Sequence, residues 1–181
     1  MNTIVFSFGR MNPPTKGHEK VIRKVKSLAV NADHMIFLSH TLNRTTDPLS
    51  WWYKLNVAKI AFPDTNFCED LGIKTPFQAV EYLARALDYT DITMVVGADR
   101  VEDFKERFEP YIKDWGIEKF NVVSAGERNP KSRTVSGISG TKMREYAIQG
   151  MESSFCAGLP NTINSSLKKQ IFRDVRNILK G

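Results

Sequence analysis

Short runs of consecutive apolar residues alternate along this chain with stretches in which apolar positions recur three and four apart. TIVFSF, residues 3 to 8, is apolar at nearly every position, the pattern of a strand covered on both faces. GHEKVIRKVKSLAV follows after a loop and carries Val21, Ile22, Val25, Leu28 and Ala29 at helical spacing. The unit then recurs. HMIFLS (34 to 39) predicts a strand, a polar loop runs from His40 to Leu49, and SWWYKLNVAKIAF predicts an amphipathic helix that Pro63 stops. In TPFQAVEYLARALDY, Thr75 suits an N-cap and Pro76 the first helical position, while Phe77, Val80, Leu83, Ala84 and Leu87 make one apolar face. DITMVVGAD predicts a strand ending at Gly97 and Ala98, and RVEDFKERFEPYIKDW a charged helix that Pro110 kinks or ends. KFNVVSA predicts a further strand. Residues from about 151 to 181 read as a helical C-terminal segment, with a terminal helix in Asn161 to Gly181.

Strands that alternate with helices pair in parallel through right-handed crossovers. The expected fold is therefore α/β, a three-layer Rossmann-like arrangement with a parallel sheet of about five strands and a C-terminal helix. The 181 residues suit a single domain spanning 1–181. Ligands of such sheets bind beyond the carboxyl ends of the strands. The loops FGRMNPPTKGH, SHTLNRTTDPLS, VVGADR and VSAGERNPKSRTVSGISGT all leave strand ends, so all four are expected at one crevice.

Composition narrows the classes. Apolar residues make up 41% and charged residues 25%, which excludes a disordered or fibrous chain. The two cysteines, Cys68 and Cys156, stand far apart and outside any CxxC or Cys/His pattern, so neither a disulfide framework nor a zinc site is expected. No apolar run reaches bilayer length and the start lacks the pattern of an export signal. A cytoplasmic location is the expectation. The net charge of +6 fits either nucleic acid or phosphorylated small molecules. Its distribution reads as solvated helix faces rather than a dedicated nucleic-acid surface, because Lys20, Arg23, Lys24 and Lys26, then Lys131 to Arg133, Lys142 and Arg144, and Lys168 to Lys180 form no single block and acidic residues lie among them.

Two stretches carry the chemistry. In FGRMNPPTKGH, Gly9 permits a sharp exit from the strand, Pro13 and Pro14 keep the loop extended, and Gly17-His18 opens a helix whose first N–H groups attract anions. Thr15 and His18, three apart, face the same side of the first turn. They are read either as a hydroxyl and imidazole for a transferring phosphoryl group or as a helix cap beside a surface histidine. In SGISGTKMR, Ser139 and Thr141 stand where a helix should begin, Gly140 allows close backbone approach, and Arg144 projects from the first turns, able to grip phosphate bidentately. An ordinary N-cap with a solvated arginine is the alternative.

With these residues in view, the chain resembles the HxGH nucleotidylyltransferases. The family's first signature, G-x-F-x-P-x-[HT]-x-G-H, stands here as GRMNPPTKGH, with Met11 in place of the usual Phe and Thr15 at the first His position. The later signature, I-S-x-T-x-x-R, stands as ISGTKMR. The GR opening and the SGT spelling are most similar to archaeal-type nicotinamide mononucleotide adenylyltransferases. Nucleotidyltransferase-like proteins of tailed bacteriophages look similar in FGRxNPPTxGH, VVGADR and VSAGER. The resemblance runs through nearly the whole chain in motif order.

The resemblance implies that an acceptor's phosphate attacks the α-phosphorus of a nucleoside triphosphate, ATP favoured over CTP, and releases pyrophosphate without a covalent enzyme intermediate. It assigns His18 to the α-phosphate, Thr15 to neighbouring oxygens, and Ser139, Thr141 and Arg144 to the β,γ-phosphates, with Ile138 and Gly17 beside them. Phe8, Gly9, Arg10 and Met11 would contact the nucleotide. In GADR, Gly97 and Asp99 match a G-x-D segment near the nucleotide, Asp99 reading either as a ribose or magnesium-water ligand or as a helix cap, and Arg100 as a phosphate ligand. Ser39, His40, Arg44, Trp51, Trp52, Lys54 and Arg100 are the acceptor-side candidates, with one indole for stacking on a planar ring and the other for the core. At the place where archaeal-type enzymes carry an Arg after the P-[FL]-[ST] segment, this chain has Trp52, Tyr53 and Lys54. Mg²⁺ is expected mainly on the triphosphate, with no protein metal site. The acceptor is a phosphorylated small molecule, with nicotinamide mononucleotide first. Cytidylyl transfer to a phospho-alcohol or sugar phosphate is the same-class alternative, and a non-catalytic nucleotide- or nucleic-acid-binding accessory protein the other. Relatives are often multimeric, so a homo-oligomer is compatible with the resemblance. A phage-encoded chain would act in the host cytoplasm.

Overall fold

The computed structural model describes residues 2–126 and 137–181. The basic loop read either as a phosphate-binding lid or as a plain connection, GERNPKSR, lies outside the described residues beyond Gly126. Contacts gather the chain into two compact units. One takes its described residues from Met1–Gly9, Lys20–Ser39 and Thr65–Arg128, the other from Arg10–Glu19, His40–Asp64 and Asn129–Gly181.

The first unit holds the sheet. Strands β1 (Thr3–Gly9), β2 (Asp33–Leu38), β3 (Asp91–Val96) and β4 (Lys119–Ser124) lie in the order β2-β1-β3-β4, all parallel. The fold is the α/β, Rossmann-like one that the alternation predicts. Register is set at the centre, where Phe6 of β1 stands between Met35 and Met94. Ile4 and Phe6 join Ile92, Met94, Val122 and the helical residues Val80, Leu83 and Phe108 in one core, while Val5, at the alternate position, is buried on the opposite face. Continuous apolar runs thus follow from burial on both faces.

The described residues form four strands, where about five were expected. Beyond β2 the sheet continues only as a bridge: Phe67 pairs in parallel with Ile36, the Ile36 amide donates to the Asn66 carbonyl, and the Cys68 amide donates to the Ile36 carbonyl. Pro63 precedes this NFC segment and Glu69-Asp70 follows it, which leaves too little apolar sequence for a full strand.

Helix α1 (Lys16–Leu28) follows β1, α2 (Trp51–Ala61) follows the polar loop, and α3 (Pro76–Glu81) opens on Thr75. Thr75 accepts from the Gln78 amide and the Gln78 side chain reaches back to the Thr75 amide, a complete capping box. The helix then widens into a π turn over Tyr82–Ala86, which the 3.6-residue spacing does not foretell. After β3 a single 3₁₀ turn, Ala98–Arg100, leads into α4 (Val101–Ile112). Pro110 neither ends nor interrupts α4 but lies inside it, exposed.

The second unit packs α5 (Gly140–Gln149), α6 (Glu152–Gly158) and α7 (Ser165–Lys180) around Met143, Ala147, Phe155, Ile171, Phe172 and Val175. Phe155 and Phe172 meet edge to face at 5.4 Å. The terminal helix starts on Asn164, whose side chain accepts from the Leu167 amide. Among the described residues no helix is long and apolar enough to cross a membrane.

Pro110 removes one backbone donor from an exposed helical turn, and proline in a helix interior costs about 3 kcal/mol relative to alanine. Pro110→Ala should therefore raise stability by about 1–2 kcal/mol, the loss of proline's restraint on the unfolded chain offsetting the rest. Urea midpoints of the two proteins check this; an unchanged or lower midpoint contradicts it.

Candidate active site

The candidate residues of the second unit are built around the loop from Arg10 to Thr15. Its backbone leaves the sheet and cannot pair with a neighbouring strand, so its polar groups need other partners. Met11 adopts φ 44°, a left-handed conformation that side chains rarely take, and the Asn12-Pro13 bond is cis. Asn12 is buried, its amide donating to the Leu49 carbonyl and its oxygen accepting from the Leu49 amide, each at 3.0 Å. Lys54 Nζ donates to the Arg10 carbonyl at 2.7 Å, and Arg144 Nη1 donates to the Asn12 carbonyl at 2.8 Å. The carbonyls on either side of Met11 are therefore each held by a cation.

Helix α1 starts directly after this loop. Thr15 is fully buried, and its amide donates to His18 Nδ1 at 2.9 Å while its hydroxyl lies 3.0 Å from the same nitrogen. The His18 amide in turn donates to the Thr15 carbonyl at 3.0 Å. A backbone amide only donates, so Nδ1 is an acceptor and the neutral ring carries its proton on Nε2. The two side chains that three-residue spacing places on one face are locked together at the N-terminus of a helix, where the peptide dipoles favour negative charge.

Gly17 and Gly140 explain how the second motif reaches the first. A Cβ on Gly17 would stand 2.2 Å from the Ile138 carbonyl oxygen, and one on Gly140 would stand 3.2 Å from the Asn12 carbonyl oxygen. At position 17 only glycine permits the approach, and at position 140 a Cβ would be tighter than most such contacts. Ser139 caps α5 by accepting from the Lys142 amide at 3.2 Å, and Thr141 Oγ1 accepts from Arg144 Nη2 at 3.2 Å. Thr15, Gly17, His18, Ile138, Ser139, Thr141 and Arg144 thus fall in one unit although 119 residues of chain lie between His18 and Ile138.

The charges are paired in ways the sequence does not announce. Arg10 Nε donates to Asp47 Oδ1 at 2.9 Å, its Nη2 meets Oδ2 of the same carboxylate, and it also donates to the Thr46 carbonyl. Burial opposes ionisation of Asp47, but the hydrogen bonds from Arg10 and Thr46 and the charges of Arg10 and Lys54 outweigh it and hold the carboxyl below its usual range. Lys54 is fully buried; desolvation, with the nearby Arg10 charge, pulls its amine down to about 8 against the opposing pull of Asp47. Burial likewise lowers Arg144, and the Arg10 charge adds to it.

The remaining acceptor-side candidates divide. Trp51 is 6% exposed and stacks on His40 at 4.5 Å, whereas Trp52 is 53% exposed. Arg44 donates to the Ile178 carbonyl at 3.1 Å, at the C-terminal end of α7. Phe8, Gly9, Ser39, Gly97, Asp99 and Arg100 belong to the sheet unit. There the Ser39 amide donates to the Gly9 carbonyl, and Arg100 pairs with Asp103 and lies over the Phe104 ring. Asp99 sits within the 3₁₀ turn, where Gly97 and Arg100 hold the two N-cap positions without a side-chain cap. Among the described residues no group of three His, Cys, Asp or Glu side chains is placed to hold a metal ion. Asn12, Asp47 and Leu49 are the residues that motif reading missed; the asparagine inside GRMNPP and the aspartate before Pro48 were the available signals.

Gly17→Ala should destabilise the protein by about 1–3 kcal/mol despite alanine's better helix propensity, because the new methyl meets a backbone oxygen that cannot rotate away. Denaturant unfolding checks it, and a variant as stable as the parent refutes the close approach of the two motifs.

No protein-family profile and no curated protein matches the chain. Solved structures do. A Vibrio parahaemolyticus protein assigned as a nicotinate-nucleotide adenylyltransferase superposes with a TM-score of 0.62 at 18% identity, over 96% of both chains. Plasmodium falciparum nicotinic acid mononucleotide adenylyltransferase, complexed with NaAD, superposes with a TM-score of 0.61 at 13% identity, over 98% of both chains. Thermotoga maritima TmcAL bound with alpha-thio ATP gives 0.52 at 10% identity, over 98% of this chain and 56% of that one. With a parallel α/β sheet, and with likenesses that run end to end through two adenylyltransferase structures, this chain has the fold of the nicotinate-nucleotide adenylyltransferases.

Proposed function

We propose that the chain is a nucleotidylyltransferase of the HxGH type, transferring the adenylyl group of ATP to the phosphate of a small-molecule acceptor. The observation that carries this reading is the meeting of the Thr15–His18 pair with Ser139, Thr141 and Arg144 at the starts of two helices. Such an arrangement supplies oriented N–H donors and a guanidinium where phosphate charge must be neutralised, which is what a direct in-line displacement requires.

In the proposed reaction an acceptor phosphate oxygen forms a bond to the α-phosphorus as the bond from that phosphorus to the β-bridging oxygen breaks. The electron pair leaves with pyrophosphate. His18 donates from Nε2 to an α-phosphoryl oxygen, the Thr15 hydroxyl orients the imidazole, and Arg144 with the N-terminal turn of α5 holds the departing phosphates. Magnesium would be carried by the triphosphate oxygens and water and would screen their charge; Asp47 is already committed to Arg10. The structural neighbours named for nicotinate nucleotides support a pyridine mononucleotide as acceptor. The exposed Trp52 is the indole available for its ring, since Trp51 is buried against His40.

Pyrophosphate release with Mg²⁺ tests the proposal, ATP and CTP each being offered with nicotinate mononucleotide, nicotinamide mononucleotide and phosphopantetheine. Turnover is expected with ATP and a pyridine mononucleotide. His18→Ala should lower kcat by about 10²–10³-fold in a variant that still folds, with a somewhat lower melting temperature because the buried Thr15 amide loses its acceptor. A folded variant that keeps most of the activity would remove His18 from the reaction, and turnover only with CTP would replace the adenylyl reading with the cytidylyl one.

A further inference from the structure

Lysine is almost never fully buried unless it is paired, and its desolvation is unfavourable enough that an apolar residue of similar size usually serves packing as well or better. Lys54 is nonetheless buried within α2. Packing by itself does not call for an ammonium, so the charge needs another reason to be there. The reason lies at 2.7 Å: Nζ donates to the Arg10 carbonyl, immediately before the left-handed Met11. That peptide plane would otherwise have to be held by the chain itself, in a φ region unfavourable for a side chain the size of methionine. On the far side of Met11, Arg144 holds the Asn12 carbonyl, and the Asn12 side chain is clamped to Leu49. Asp47 sits close enough to favour the charged form of Lys54, while Arg10 opposes it.

From this placement we infer that Lys54 is a positioning residue: its ammonium sets the Arg10 peptide plane and so holds the Met11 turn that leads to Thr15 and His18. What the turn serves rests on the nucleotidyl-transfer reading; that Lys54 holds it does not. A direct role for Lys54 in gripping the acceptor phosphate makes the opposite kinetic prediction, because lost binding raises KM whereas lost alignment lowers kcat.

The experiment is Lys54→Met in the full chain, read by kinetics, by melting temperature and by the intraresidue amide-to-Hα contact of Met11 in NMR, which is strong only at positive φ. The inference predicts a kcat lowered about 10- to 100-fold, with KM for both substrates within about threefold. It also predicts a variant that folds with a weakened Met11 contact. An unchanged Met11 contact, or a raised acceptor KM at unchanged kcat, overturns it. If the parent protein releases no pyrophosphate with any substrate pair, the functional reading fails, and the Met11 contact still decides the role of Lys54. Should Lys54→Met not fold, ¹⁵N-lysine spectra of the parent give the same decision. Slowly exchanging Nζ protons in contact with Met11 support the inference, and rapidly exchanging ones overturn it.

Discussion

Everything proposed for this protein depends on how the backbone between Arg10 and Thr15 is held once it leaves β1. A chain that exits a parallel sheet loses its ladder partners, and buried peptide groups cannot be left without hydrogen bonds. Here two of the missing partners are side chains from distant parts of the sequence, Lys54 for the Arg10 carbonyl and Arg144 for the Asn12 carbonyl, while the loop's own Asn12 side chain is bonded to both backbone groups of Leu49. Three such anchors around one left-handed residue leave the turn few alternatives. Helix α1 then starts with Thr15 and His18 already locked to one another.

The same anchors arrange the electrostatics. Two cations, Lys54 and Arg144, are drawn into low-dielectric surroundings beside a third, Arg10, with Asp47, and Glu145 on the Arg144 side, offsetting them in part. Such a local excess of positive charge works against stability in the empty protein and in favour of a polyanion that brings its own negative charge. The Arg10–Asp47 pair limits that excess, with the carboxylate buried and the guanidinium half exposed. A site of this kind strengthens the interactions formed when phosphate arrives, because donors already fixed in place need no further ordering.

How much of this was legible depended on how local its cause was. The strands, the capping box at Thr75 and the cap at Ser139 follow from neighbouring residues, and each stands where the pattern put it. In the two glycine-bearing motifs the glycines and prolines carry backbone requirements in their spelling, and Gly17 and Gly140 stand where one motif's backbone approaches the other's. What escaped was set by distant partners. The π turn at Tyr82–Ala86 and the passage of α4 through Pro110 override helical periodicity and proline's usual effect. About five strands were expected without a place for the fifth; among the described residues the sheet goes past β2 as a bridge at Phe67, too short to announce itself in the pattern. Arg10, Arg44 and Lys54 looked like three more cations for ligands. In the fold they bond to Asp47, the Ile178 carbonyl and the Arg10 carbonyl, pairings that no spacing rule contains.

The central claim is that His18, held by Thr15 with its proton on Nε2, is the imidazole that meets the phosphate of a nucleoside triphosphate. The chain has only three histidines, so ¹⁵N-histidine spectra resolve it directly. The account predicts an Nε2-protonated His18 whose Nε2–H signal shifts on addition of ATP with Mg²⁺. A His18 protonated on Nδ1, or one that ignores ATP while the nucleotide demonstrably binds, would contradict it.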